Sequence, residues 1–578
     1  MARKHASGYV QGIWRLARPM ETGDAPELMR WPWPLRQLLF NRGLRTARDV
    51  EAFLHPERVG LHDPFLMAGM GEAVEIVRKA LGGGRLIAVY GDFDVDGLTA
   101  TALVSEVLSS APLNGRVVSY LPHRQKDGYG LHGEAIRTLA AQGAGLLITV
   151  DCGIGAHDEV RLAAELGMDV IVTDHHRVPG RVPDGATVLN PRQEVCRYPS
   201  RELSGVGVAY KLGEALLSTC VGMEEARRLL EQVLDLVALG TVADLAPLVG
   251  ENRLLVKLGL QRMNQGARTG LRAMATAGGF QGRPVDAEGV GWRVAPRLNA
   301  AGRMGDARLS LKLLTTKSEA EAAGLASELE TANRDRQDAT MAALESARGE
   351  MANLRSLPPA IVLAGDYPAG IVGLVAGRLA EEFGRPAFVI ELGDGESRGS
   401  GRGVAGFDVV AALSEAEELL LRYGGHPQAG GFALPSTKIP TLKARLERAA
   451  ERQLGAEPAP AELLLEADLR ARDLGPDLFN MVEMLEPVGV GNEPPVFQAT
   501  GMQVRDVRTV GSGHLRLRLA DESGTVGAIG FGMATEEYAF VRVGSCVDTA
   551  FRVGRSEWGG TVRYEMRLRE LRPSADAR

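Results

Sequence analysis

No stretch of this 578-residue chain reaches the roughly 18 uninterrupted apolar residues of a membrane helix, although 45% of its residues are hydrophobic. A membrane-spanning role is therefore not expected. The opening residues, MARKHASGYVQGIWRLARPM, are basic but hold no apolar core of the kind that marks a secretory leader, so the expected compartment is the cytoplasm. Cysteine is scarce: Cys152, Cys196, Cys220 and Cys546 stand far apart with no CxxC pair, which points to neither a thiolate zinc site nor a disulfide framework. Positive charge is not in surplus either. The formal net charge of −7 argues only weakly against a nucleic-acid partner, because local fields rather than sums decide phosphate binding. Lysine supplies only nine of the 66 basic residues. Arginine, whose planar fork matches phosphate oxygens, dominates, and codon bias accounts for this equally well.

The length calls for three or four domains. From residue 84 the chain alternates short apolar runs with helical stretches: RLIAVY then TALVSEVLSS, GLLITVD then DEVRLAAELG, and DVIVTD. This predicts βαβ units and a parallel sheet over 84–317, preceded by an N-terminal segment, 1–83, packing on that domain. Residues 318–356 hold no proline and carry apolar residues at helical spacing, so a long connecting helix is expected, ended by LPP at 357–359. A second α/β unit spans 357–456, with strands AIVLAG and PAFVIEL, glycine-rich SRGSGRGV, and a helix over VVAALSEAEELLLRYG. GAEPAPAE at 455–462 has the composition of a linker. Beyond it, over 461–573, alternation such as HLRLRLAD sets Leu515, Leu517 and Leu519 against Arg516 and Arg518 and suggests a small β-barrel, an oligonucleotide-binding barrel among the options.

The acids are placed where chemistry is expected. Asp92, Asp94 and Asp96 follow LIAVY, Asp151 follows LLITV, and Asp174, His175 and His176 follow DVIVT. Parallel α/β sheets bind ligands outside the carboxyl ends of their strands, so these groups should converge in one crevice, with Asp244 of LGTVADLAP closing it. So many carboxylates cannot all stay ionised without positive charge among them, and a carboxylate–imidazole set favours Mn²⁺ or Mg²⁺. Any single acid after a strand is more often a helix cap or turn former. That account would have to hold separately at Asp94, Asp96, Asp151, His175 and Asp244; for His176 and Asp158 it stays competitive.

GDFDVDG, VDCG, VTDHH and GTVADLAPL, in this order, resemble the four motifs of the DHH phosphoesterase superfamily. With LPHRQKDGYGL, APRLNAAGRMGDA, SRGSGRG and GGHPQAGGF the chain is most similar to the RecJ family of bacterial single-strand-specific 5′→3′ exonucleases, across about residues 84–435. The resemblance implies a DHH catalytic domain, a long helix, a DHH-associated domain and an oligonucleotide-binding barrel. It also implies two Mn²⁺ or Mg²⁺ ions held by Asp94, Asp96, Asp151, His175 and Asp244. Asp151 would bridge them, Asp92 would be a further ligand, Asp174 would orient a ligand imidazole or water, and His176 would meet the substrate phosphate or help position the nucleophile. Some superfamily members have a histidine ligand where this chain has Tyr90.

The same resemblance places Arg124, Ser400 and Arg402 around a terminal 5′-phosphate. By itself SRGSGRG offers backbone donors and a guanidinium for an anion, and a glycine-rich hairpin with a solvated arginine is the alternative. His426 is expected to face the metals, against an unliganded turn histidine. Arg297 and Arg303 are candidate backbone-phosphate contacts. In the barrel, Arg505, Arg508, Arg516, Arg518, Arg552, Arg555 and Arg563 are candidates against a solvated face. The expected function is metal-dependent hydrolysis of single-stranded DNA from its 5′ end to 5′-mononucleotides, in repair and recombination. The expected partners are single-stranded DNA and, by family resemblance, a single-strand-binding protein and a helicase. A small-substrate phosphodiesterase of the superfamily is the runner-up, disfavoured by the added barrel.

Overall fold

Five strands of the computed structural model, β1 (Leu86–Gly91), β2 (Arg116–Tyr120), β3 (Ala144–Val150), β4 (Asp169–Thr173) and β5 (Thr187–Leu189), lie parallel in the order β2-β1-β3-β4-β5. Residues 13–575 are described, apart from 125, 355, 456–461, 512 and 559–560; most of the linker composition at 455–462 therefore lies outside the described residues. β1 and β3 are buried on both faces, which is why they read as continuous apolar runs. The chain leaves β1 for β2 on one side and places β3 on the other. This order puts the topological switch point between β1 and β3, where a doubly wound sheet opens its crevice. Helices α1 (Val95–Leu108), α2 (Gly205–Cys220) and α3 (Met223–Ala243) pack over the sheet with the Met70–Gly82 helix.

The connecting helix is α4 (Glu319–Ala352), started by Ser318, whose hydroxyl accepts from the Glu321 amide at 3.3 Å. It leads into the second α/β domain. There β6 (Ile361–Gly365), β7 (Ala387–Glu391), β8 (Glu396–Arg402), β9 (Arg422–His426) and β10 (Ala429–Pro435) form a sheet ordered β9-β10-β8-β7-β6, and α5 (Val372–Phe383) packs on it. Only β6 and β7 are parallel. Two expectations are corrected here. SRGSGRG is a strand at the centre of the sheet: Gly399 and Gly401 lie against the rings of Phe432 and Phe388, where a Cβ would collide, while Ser400 and Arg402 alternate to the other face. The helix expected through Gly424 stops at Ser414, and the chain turns through Glu417–Leu419 into β9.

The other unit comprises the described residues before 60 and after 458. Its centre is a closed barrel of β11 (Phe497–Val510), β12 (His514–Asp521), β13 (Gly524–Gly530), β14 (Cys546–Trp558) and β15 (Thr561–Pro573). As the alternation predicts, Leu515, Leu517 and Leu519 point inward and Arg516 and Arg518 outward. The expectation that residues 1–83 pack as one segment on the catalytic domain is corrected by this unit. Leu28, Leu35, Leu38, Leu39 and Val50 join the barrel's own core beside Leu485, Phe497 and Phe551. Strand Ile13–Leu16 pairs in parallel with Glu462–Leu465. Apolar helix faces at 35–41 and 47–54 bury against the barrel; only the stretch from residue 60 on belongs with the parallel sheet.

Candidate metal centre

The turn from β1 into α1 carries three of the acids. Asp94 is the helix N-cap, its Oδ1 accepting from the Gly97 amide at 3.1 Å. Asp96, in the first turn and fully buried, reaches the start of α2 and accepts from the amides of Gly205 at 2.7 Å and Val206 at 2.8 Å. Position 205 has no room for a side chain: a Cβ would lie 2.6 Å from the Cβ of Asp151. Asp151 follows β3 with φ +60°, a left-handed conformation that costs a non-glycine residue on the order of 1–3 kcal/mol and persists here in aiming the carboxylate into the crevice. Asp244 caps the end of α3.

These groups meet. His175 Nε2 lies 3.1 Å from Asp151 Oδ1, 3.8 Å from Asp244 Oδ2 and 3.9 Å from Asp96 Oδ2. Asp92, Asp94 and Asp151 form one set of candidate ligands and Asp96, His175 and Asp244 another, each with its ligand atoms within 4.8 Å of one another; Asp151, His175 and His176 form a third. Three of the converging atoms, Asp92 Oδ1, Asp151 Oδ1 and His175 Nε2, are buried with no hydrogen-bond partner among the described residues. Buried acceptors left this way cost free energy unless something positive fills the space between them. In the bare protein, burial and then the charge of Asp94 push Asp92 up to about 8 and Asp244 up to about 7. Asp96 and Asp151 rise well above the carboxylate range for the same two reasons, burial and neighbouring acids. An all-oxygen-and-imidazole set with orphaned acceptors fits a hard or borderline dication.

Asp174 behaves differently. One oxygen accepts from the amides of His175 at 2.7 Å and His176 at 3.0 Å and from His176 Nδ1 at 2.7 Å, and the other from the Ile154 amide at 2.9 Å. Burial would raise it, but the His176 hydrogen bond and the imidazole charges outweigh burial and hold it at about 2. Its partners are spoken for, so it positions His176. Burial opposes charge on His176 as well, yet the hydrogen bond and charge of Asp174 push that ring up to about 9. Burial and the charge of His176 hold His175 down to about 3, leaving it neutral and able to donate a lone pair. His426 stacks on His176, ring centroids 5.3 Å apart.

A second constellation, of guanidinium groups, borders the acids. Arg124 lies over Phe93, 4.6 Å from the ring centroid, and faces Asp92 and Asp94. Arg402 Nη1 donates to Ser400 Oγ at 2.7 Å and to the Gly401 carbonyl at 2.8 Å, and both side chains crowd Gly373 in the first turn of α5. Arg303 donates to the Gly370 carbonyl at 3.1 Å. Burial first, then the charges of Arg124, Arg402 and Arg336, press Arg303 well below the usual guanidinium range. Mutually repelling cations gathered beside a helix N-terminus suit a phosphate.

Over residues 86–241 the chain matches the family model described as DHH family, N-terminal domain, over 358–452 the DHHA1 domain, and over 465–570 the RecJ OB domain. The single-stranded-DNA-specific exonuclease RecJ of Bacillus subtilis (strain 168) is 35% identical over 92% of this chain and 67% of its own length. That of Dickeya dadantii (strain 3937) is 33% identical over 96% of this chain and 98% of its own. The chain belongs to the RecJ family. Among solved members, the crystal structure of RecJ in complex with Mn²⁺ from Thermus thermophilus matches with a TM-score of 0.82 at 34% identity, covering 97% of this chain and 80% of that one. The Mg²⁺ complex from the same source matches at 0.76 and 32% identity, with 97% and 79% covered.

Within this RecJ-family centre the structure gathers Asp92, Asp94, Asp96, Asp151, His175, His176 and Asp244 about one crevice and sets Arg124, Arg303, Ser400 and Arg402 at its border. Arg297 is engaged by an acid: its Nε pairs with Glu330 Oε2 at 2.6 Å. Tyr90 is turned away, its hydroxyl donating to the Gly130 carbonyl at 2.9 Å and its ring stacked on Tyr120 in a separate apolar cluster. Asp158 is exposed and ion-paired with Arg161. Sequence reasoning missed Arg192, which faces His175 and Asp244 and is braced by Glu202 at 2.9 Å. The strand-end rule would have found it had the three-residue β5 been recognised. Arg336, hidden in the charge pattern of α4, was missed with no local signal.

Proposed function

We propose that this protein is a metal-dependent exonuclease that degrades single-stranded DNA from the 5′ end and releases 5′-mononucleotides. The observation that carries this is the side-by-side arrangement of an acid–imidazole crevice with orphaned acceptors and a cluster of guanidinium groups contributed by two domains. Asp94, Asp96, Asp151, His175 and Asp244, with Asp92, would hold two Mn²⁺ or Mg²⁺ ions, Asp151 between them; when bound, the pair supplies an activated water and charge neutralisation at the scissile phosphate. Arg124, Ser400, Arg402 and Arg303 hold the terminal phosphate and so set the cut one nucleotide in. His176, its ring fixed by the Nδ1 hydrogen bond to Asp174, meets the scissile phosphate or helps position the attacking water, with His426 stacked on it. Outward arginines of the barrel, Arg505, Arg518 and Arg563, contact the sugar–phosphate backbone of the unpaired strand. The same reading carries a cytoplasmic role in repair and recombination, alongside a single-strand-binding protein and a helicase.

The deciding experiment is digestion of 5′-labelled and 3′-labelled single strands, each with and without a 5′-phosphate, in Mn²⁺. Early release of the 5′ label as a mononucleotide, with the 3′ label retained in shortening fragments, is expected. Early loss of the 3′ label, or equal attack on duplex, refutes the proposal. Metal binding is checked separately by thermal unfolding. Mn²⁺ at a hundred times its dissociation constant is expected to stabilise the protein by about 2.7 kcal/mol. Asp151→Asn removes a buried, repelled carboxylate, so the metal-free variant should melt no lower than the parent and gain little from Mn²⁺. A variant that still responds fully to Mn²⁺ would show that Asp151 is not a ligand.

A further inference from the structure

Among the described residues only three other than glycine have left-handed backbone: Asn114, Asp151 and Leu245. Asparagine adopts that conformation readily, and Asp151 belongs to the acid crevice. Leu245 has neither excuse. It follows Asp244 at the end of α3 with φ +59°, its amide donating to the Val242 carbonyl and the Ala246 amide donating to that of Thr241, both at 3.2 Å. This is the helix-ending arrangement in which glycine normally stands, because a Cβ there is sterically penalised. The leucine side chain does not offset the penalty by burial, being 68% exposed, while the neighbouring Ala246 and Leu248 are buried and anchor the segment. A side chain on a strained backbone and this exposed contributes little to folding through burial.

Its surroundings say what it contributes instead. Leu245 lines a half-open pocket of ≈ 200 Å³ with His175, His176, Asp244, Arg192 and His426, room for many times the roughly 10–15 Å³ that one water needs. The cavity lies on one flank of the crevice: Arg124 faces Asp92 and Asp94, whereas Arg192 faces Asp244, His175 and His426. With the 5′-phosphate held on the Arg124 flank, this open space on the Asp244 flank is where the next nucleotide would lie. We propose that Leu245 is a positioning residue for the substrate, its apolar side chain packing against the base of the nucleotide on the 3′ side of the scissile phosphate. The nucleotide is thereby seated so that its 5′-phosphate lies among Asp151, His175 and Asp244. This rests on the exonuclease reading above.

The test compares the parent and Leu245→Gly on 5′-phosphorylated single strands with an intact or an abasic second nucleotide, following release of the first nucleotide. For the parent, removing the second base is expected to raise KM about fivefold. Leu245→Gly is expected to show a similarly raised KM on intact DNA, no further rise on the abasic strand, nearly unchanged kcat, and a melting temperature equal to or above the parent's. If Leu245→Gly matches the parent's KM, keeps the full abasic penalty, or melts several degrees lower, the inference is overturned, the last because the side chain would then serve packing. Failure of the parent itself to degrade the intact strand from its 5′ end would instead sink the exonuclease reading.

Discussion

Asp151→Ala is expected to lower cleavage of single-stranded DNA roughly 10³-fold or more, because charge stabilisation by a metal pair amounts to several kcal/mol and about 1.4 kcal/mol is a factor of ten. The size follows from where the residue sits. Its Oδ1 is the atom nearest His175 Nε2, it belongs to both the Asp92–Asp94 group and the His175–His176 group, and its backbone is held left-handed to put it there. Among the described residues no other acid belongs to both groups. Single-strand affinity should change little, since the guanidinium pocket and the barrel are untouched, so the loss should fall on kcat. The measurement is single-turnover cleavage in saturating Mn²⁺ alongside binding in its absence. A variant within tenfold of the parent would mean that the ions, if any, are held without a bridging carboxylate.

How much of this was open to sequence reasoning depends on whether the cause is local. Strands β1, β3 and β4 announce themselves because a strand buried on both faces must be apolar throughout, and the rule that ligands gather at their carboxyl ends turns three separate motifs into one site. The long helix is marked by the absence of proline and by apolar residues at helical spacing; the barrel strand by leucine and arginine alternating with period two. What was hidden is what depends on distant partners. Nothing near Ile13 reveals that it pairs with Glu462, and nothing near Arg297 reveals Glu330 waiting on α4. SRGSGRG looks like a turn because glycine favours turns; it is a strand because two phenylalanines, Phe388 and Phe432, occupy the space that side chains at 399 and 401 would need. Asp94 and Asp174 show that the bland and the functional accounts need not compete. Asp94 caps a helix through one oxygen and belongs to a candidate ligand group, while both oxygens of Asp174 are taken up by hydrogen bonds from Ile154, His175 and His176.

Arg402→Ala should carry the second largest effect, a loss of roughly 10- to 100-fold on 5′-phosphorylated strands, as expected for one charge-assisted contact contributing about 1.5–3 kcal/mol. The loss should be confined to that end group. On 5′-hydroxyl strands, which offer no terminal phosphate, the variant and the parent should cut at similar rates, so the parent's preference for the phosphorylated end collapses in the variant. Folding gives little competing explanation, because among the described residues the Arg402 side chain hydrogen-bonds only to Ser400 and Gly401 of its own strand, and burial together with the charge of Arg124 already works against its protonated form. Removing it relieves a repulsion, and the melting temperature should hold or rise. Arg402→Lys keeps the charge but not the fork that reaches both Ser400 and a phosphate oxygen, so it should recover only part of the preference. Rates on the four combinations of enzyme and end group form a cycle whose coupling term isolates the contact. Were the variant to keep the full preference for a 5′-phosphate, the end-recognition pocket would have to lie elsewhere, and the cut would no longer be measured from the β8 strand.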